Sequence, residues 1–188
     1  PREALAKSPG DFTFNSPGLV KPAAVSAPNP EAVDRAADLL SKAKNPLIVA
    51  SSFGQNPADV AVLEEFSEKY ALPVVCYRPR YVNLPFGHPM HAGFEPGAMI
   101  GEVDVILTLE CDTPWIPSLH KLNPNAKVIQ VGVDPLFAQY PIRGFQSDIT
   151  IAADAATTLA AISSAMGLGT NVGERRQAMA AKKAKVAE

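Results

Sequence analysis

A chain of 188 residues has room for one domain with appendages, since domains cluster near about 100 to 150 residues. Its 47% hydrophobic and 19% charged residues are those of an ordinary globular protein, and a net charge of −2 argues against nucleic acid or an anionic membrane as partner. No apolar run is long enough to span a membrane and no signal segment opens the chain. Two cysteines, Cys76 and Cys111, are too few for a disulfide framework and point to a reducing cytoplasm.

The chain opens on Pro1 rather than Met and reads as a piece of a longer one. Residues 1–28 have no helical or strand period and are punctuated by Pro9, Gly10, Pro17, Gly18, Pro22 and Pro28, the composition of an extended linker. A helix starts at Asn29-Pro30, with Asn as cap, Pro in the first turn and Glu31 at the positive dipole end. Val33, Ala36, Ala37 and Leu40 form its apolar face. The stretch "PLIVASSFGQNP" predicts a strand over 47–51, a turn, and a second helix capped by Asn56, with Val62, Leu63, Phe66 and Tyr70 facing inward.

Further strands are predicted over 73–77, 104–109, 127–133 and 148–151, with a short extra one near 90–93. Asp154 caps a last core helix whose buried stripe is Ala155, Leu159, Ile162 and Met166. Continuously apolar strands interleaved with amphipathic helices mean an α/β fold, a doubly wound parallel sheet of five to six strands with helices on both faces. The tail is helix-prone but poor in apolar surface. Residues 169–188 therefore read as a second linker, its Arg175, Arg176, Lys182, Lys183 and Lys185 solvated. The core is 29–168.

Read together, "PREALA", "NPLIVASSFGQN", "LPVVCYRPR", "HPMHAGF", "VDVILTLECDTPW", "AKVIQVGVDP", "SDITIAADAATTLAAI" and "ERRQAMAAKKAKVAE" resemble, in pattern and order, the central domain of thiamine-diphosphate enzymes of the acetolactate synthase type. The resemblance implies a Rossmann-like sheet of order 3-2-1-4-5-6, flanked by N- and C-terminal domains of the same chain, in a homo-oligomeric enzyme acting on 2-keto acids. Thiamine diphosphate and magnesium would be held by those other domains. The family's activating glutamate lies in the N-terminal domain and its Gly-Asp-Gly…Asn motif in the C-terminal one; this sequence has no Gly-Asp-Gly. The central domain carries flavin in some members, ADP in others and nothing in the rest. The resemblance thus implies a scaffold without catalytic residues of its own. Two other readings stand beside it: a module binding ADP, FAD or a CoA ester, and a purely structural or oligomerising domain.

In an open parallel sheet the ligand crevice lies where strand order reverses, beyond the carboxyl ends of the strands. In the family order it is flanked by residues 51–54 and 110–115. Backbone amides at Ser51, Ser52, Phe53 and Gly54 would meet a phosphate at the start of the second helix. Three of these four carry side chains where close backbone approach favours glycine, so a structural turn is the alternative. Phe53 would cap an adenine or plug the crevice. Asp112 lies at the crevice mouth. Asp134 either takes ribose hydroxyls or caps the turn "DPLF".

Against flavin, only residues 95–102 separate "HPMHAGF" from the next strand, where flavin-binding members have a fuller helix. His88 and His91 invite a metal reading, but no paired cysteines or further ligands accompany them. Cys111 has no basic neighbour in sequence and is not read as reactive. Nothing places a histidine beside a serine. Trp115, between Pro114 and Pro117, is either a packing plug or a contact for a neighbouring domain, and a three-domain architecture favours the contact.

Overall fold

The computed structural model describes Gly10 and residues 24–97, 99–167, 169 and 171–186. Most of the expected N-terminal linker therefore lies outside the described residues, as do the side chain of Lys185 and residues 187–188. The elements in chain order are α1 (Pro30–Lys42), β1 (Pro46–Ala50), a short 3-10 turn (Phe53–Gln55), α2 (Pro57–Tyr70), β2 (Val74–Cys76), β3 (Val105–Leu109), β4 (Lys127–Gly132), β5 (Ile149–Ala152), α3 (Ala155–Ala165) and α4 (Val172–Val186).

All five strands are parallel, in the order β2-β1-β3-β4-β5. The expected strand near 90–93 is reduced to one parallel bridge between Val74 and His91 at the β2 edge. Counting it as a strand restores the order 3-2-1-4-5-6. It stays short because Pro89 precedes it and Gly93 leaves it at φ +100°.

The helix starts follow the cap chemistry. Asn29, Asn56 and Asp154 accept from the amides of Ala32, Ala58 and Thr157 at 3.1, 3.3 and 2.7 Å. Strand alternation sends Ile48, Ala50, Leu107 and Ile129 to one face, where α1, α2 and α3 bury Leu40, Leu63 and Leu159. Leu47, Val49, Ile106 and Val128 face the other way, onto Ile100, Val103 and Trp115. Among the described residues that second cover is made of turns. Pro79, Pro85, Pro96, Pro114 and Pro117 interrupt any helix there.

Two expectations are corrected. Trp115 is only 4% exposed and packs edge-on against Phe145 at 5.2 Å, so it is a plug of this domain's own core rather than a domain contact. The tail is helical, but it is not simply solvated. Arg175 and Met179 are buried, because the guanidinium finds backbone carbonyls at the ends of α1 and α2. Little apolar surface is needed when one cation satisfies so many acceptors.

Candidate functional site

The crevice lies between the carboxyl ends of β1 and β3, where Ala50 pairs with Leu109. The turn after β1 is drawn inward by residues 78–84. Ser51 is buried, its Oγ donating to the Arg78 carbonyl at 3.2 Å and its carbonyl accepting from the Arg80 amide at 3.0 Å. The Ser52 amide donates to the Glu110 carbonyl at 3.1 Å, and its own carbonyl accepts from the Gln55 amide at 3.2 Å. Phe53 is 3% exposed and belongs to the core under α1 and α2, so its ring plugs rather than lines the crevice.

Asn83 closes the turn. Its Oδ1 accepts from the Gly54 amide at 3.0 Å, and its Nδ2 donates to the Ser51 and Tyr81 carbonyls at 3.0 and 3.1 Å. A Cβ on Gly54 would stand 1.8 Å from the Val82 carbonyl oxygen. The close backbone approach that glycine permits is thus taken by the chain itself. No local pattern around "RYVNLP" marks Asn83 for this role; only the tertiary contact reveals it.

Asp112 accepts from Arg80 Nη2 at 2.9 Å and from the Tyr140 hydroxyl at 3.3 Å. Arg143 lies beside it between the rings of Phe137 and Phe145, each 5.2 Å from its guanidinium. It donates to the Asp112 carbonyl and to Gln130 Oε1. Asp134 is exposed at the end of β4, and both its carboxylate oxygens accept from the Ala138 amide, at 3.2 and 3.1 Å. It caps the turn at Phe137, whose φ is +48°.

Glu110 was expected only as a loop boundary, yet it forms the crevice floor. It is a non-glycine residue at φ +46°, and its carboxylate accepts from the Val133 amide at 2.9 Å. That carboxylate occupies the space beside Gly132, where a Cβ would meet it at 2.9 Å. Burial raises its pKa, and the charges of Asp154 and Asp134 raise it further against the Val133 bond. Asp59 is raised for the same reasons, burial first and then Asp154. Carboxylates thus gather beside Glu110, while Arg80 and Arg143 balance Asp112 at the crevice mouth.

Residues 33–162 match the family model described as "Thiamine pyrophosphate enzyme, central domain". The chain belongs to that family. A sulfoacetaldehyde acetyltransferase from Roseovarius nubinhibens is 32% identical over 117 residues, 56% of this chain and 19% of that protein. The chain thus spans about one-fifth of the curated relative it matches. Among solved structures, a protein from Mycobacterium smegmatis described as a thiamin diphosphate-dependent enzyme superposes with a TM-score of 0.65 at 20% identity, over 84% of this chain and 32% of the other. Benzoylformate decarboxylase from Polynucleobacter necessarius gives 0.61 at 19% identity, over 85% and 31%. At such identities these two structures establish the fold alone.

The residues of this central domain do not fit a metal-held diphosphate. Among the described residues no group of three His, Cys, Asp or Glu side chains is placed to hold a metal ion. His88, His91 and His120 each spend Nδ1 as acceptor for a nearby amide, of Met90, Gly93 and Ile116, at 3.1 Å in all three cases. They cap turns rather than converge on one point. Burial pushes Cys76 up to about 11 and Cys111 up to about 12, the latter helped by Asp112, so neither is a thiolate near neutral pH. Among the described residues, no helix is long and apolar enough to cross a membrane.

Proposed function

We propose that the chain is the central scaffold domain of a thiamine-diphosphate-dependent enzyme of the acetolactate synthase type acting on 2-keto acids. It contributes architecture and no catalytic group. The parent protein would bring N- and C-terminal domains, thiamine diphosphate and magnesium, and would work as a homo-oligomer. The observation that carries the scaffold part of this reading is Asn83 bridging Ser51 and Gly54, which spends the Gly54 amide that a pyrophosphate would need. Glu110 and its acidic neighbours oppose a pyrophosphate at the same place. FAD therefore finds no bare turn, and the cations at the crevice mouth, Arg80 and Arg143, are already engaged by Asp112 and its neighbours.

A second reading, a site for ADP or a CoA ester, is favoured by one observation. Asp134 is exposed at the end of β4, and its carboxylate has lone pairs beyond those used by Ala138. Its test is ADP binding lost in Asp134→Ala.

The scaffold reading is tested by the open reading frame that encodes the chain. The expected frame has a glutamate-bearing domain before these residues and a Gly-Asp-Gly…Asn motif after them, and its product condenses or decarboxylates a 2-keto acid. A frame lacking both flanking domains would contradict the reading.

A further inference from the structure

Away from the crevice, α4 and the outer edge of the sheet border an open cavity of about 370 Å³. That size lies at the lower end of small-molecule sites. Phe86, His91, Met99 and Met179 form its walls, and Lys182 and Lys183 stand over it.

The wall is aromatic and polarisable. The Phe86 ring is 75% exposed and stacks on Phe94, with centroids 6.1 Å apart and planes 4° from parallel. His91 meets Phe86 edge-on at 5.3 Å. Burial and the charge of Lys183 hold the His91 imidazole toward its neutral form, so it presents a flat, uncharged face. The two thioethers favour an aromatic guest over an aliphatic one.

The charged side chains lining this cavity are both cations, with Glu102 in the adjoining hollow that shares Met99, Met179 and Lys182. Lys183 Nζ donates to the His88 carbonyl at 2.5 Å, which fixes the ammonium and leaves two of its protons free. Lys182 is exposed and makes no ion pair among the described residues, and no carboxylate lines the cavity. A cation would be repelled. A polyphosphate would face a mostly apolar wall.

We propose that this cavity binds a small planar aromatic carboxylate, its ring against Phe86 and His91 and its charge beneath Lys182 and Lys183. The site is independent of the crevice and of any nucleotide there.

The test is a titration of the 188-residue chain with 2-naphthoate, followed by the methyl resonances of its four methionines. Met99 and Met179 shift saturably, and Met166, buried in the core on the other side of the sheet, does not move. The dissociation constant is on the order of 0.1 to 1 mM for a ligand of this size. Lys182→Glu weakens binding by roughly fivefold. Phe86→Ala, which removes an exposed ring without opening the core, also weakens it. 2-Naphthylmethylammonium leaves Met99 and Met179 unmoved. Equal binding of that cation, unchanged affinity in Lys182→Glu, or no movement of the two methyls at several millimolar naphthoate would overturn the proposal.

Discussion

Arg175 on α4 and Ala43 at the end of α1 are joined through the Ala43 carbonyl oxygen, which accepts from both Nε, at 3.2 Å, and Nη2. The same guanidinium donates to the carbonyls of Leu40 at 3.0 Å and Tyr70 at 3.2 Å, so one side chain satisfies orphan acceptors at the ends of α1 and α2. Arg175→Ala leaves the Leu40 and Tyr70 carbonyls without this donor, Ala43 keeping only Asn171 Nδ2, and weakens the docking of α4. The expected loss is about 3 kcal/mol in denaturant unfolding, with faster amide exchange along α4. Arg175→Lys, with one compact ammonium in place of a planar fork, recovers only part of it. Unchanged stability in Arg175→Ala would mean that α4 is held by other contacts.

Gly54→Ala tests whether the turn after β1 is filled by its own chain. A Cβ there meets the Val82 backbone, which cannot rotate away as a side chain would. The substitution should destabilise by about 3 kcal/mol or more and disturb the Asn83 bridge, visible as a lower midpoint of thermal unfolding. A neutral outcome would show that residues 78–84 are not packed on the turn.

The two thiols make a kinetic prediction. With Cys76 up at about 11 and Cys111 at about 12, a disulfide reagent near neutral pH finds almost no thiolate and little access in the folded chain. Both thiols should titrate promptly once the chain is unfolded. A fast-reacting thiol in the native protein would contradict their burial.

Glu110 carries a pH dependence of definite sign. Its folded pKa lies above the ordinary 4.5, so as pH rises through 4.5 the unfolded chain gives up this proton first. Stability from this group is therefore full at low pH and falls as pH climbs through the folded value. Glu110→Gln keeps an oxygen for the Val133 amide and removes the ionisation. It should be more stable than the parent chain at about pH 7, with the difference gone near about pH 4. A variant less stable at both pH values would show that the carboxylate is favourable where it lies.

Much of the fold was legible because it rests on local chemistry. Asn29, Asn56 and Asp154 announce their helices by side chains that cap within three residues, and the apolar runs announce buried parallel strands. Long-range pairing was not legible. Asn83 reaches Gly54 across 29 positions, and Arg175 reaches Leu40 across 135, so no window of sequence contains either partner set. Trp115 misled for a related reason: flanking prolines describe a loop, but only the tertiary fold says that this loop lies on Phe145. Glu110 was hidden because a glutamate at φ +46° looks in sequence like any residue ending a strand.

The most direct test of the scaffold reading is calorimetric titration of the 188-residue chain with FAD, with ADP, and with thiamine diphosphate plus magnesium. The spent amides of the turn, the acidic crevice floor and the missing Gly-Asp-Gly predict no saturable heat with FAD or thiamine diphosphate at micromolar concentrations, and with ADP at most weak binding that Asp134→Ala removes. Micromolar binding of FAD, or of thiamine diphosphate with magnesium, would contradict it.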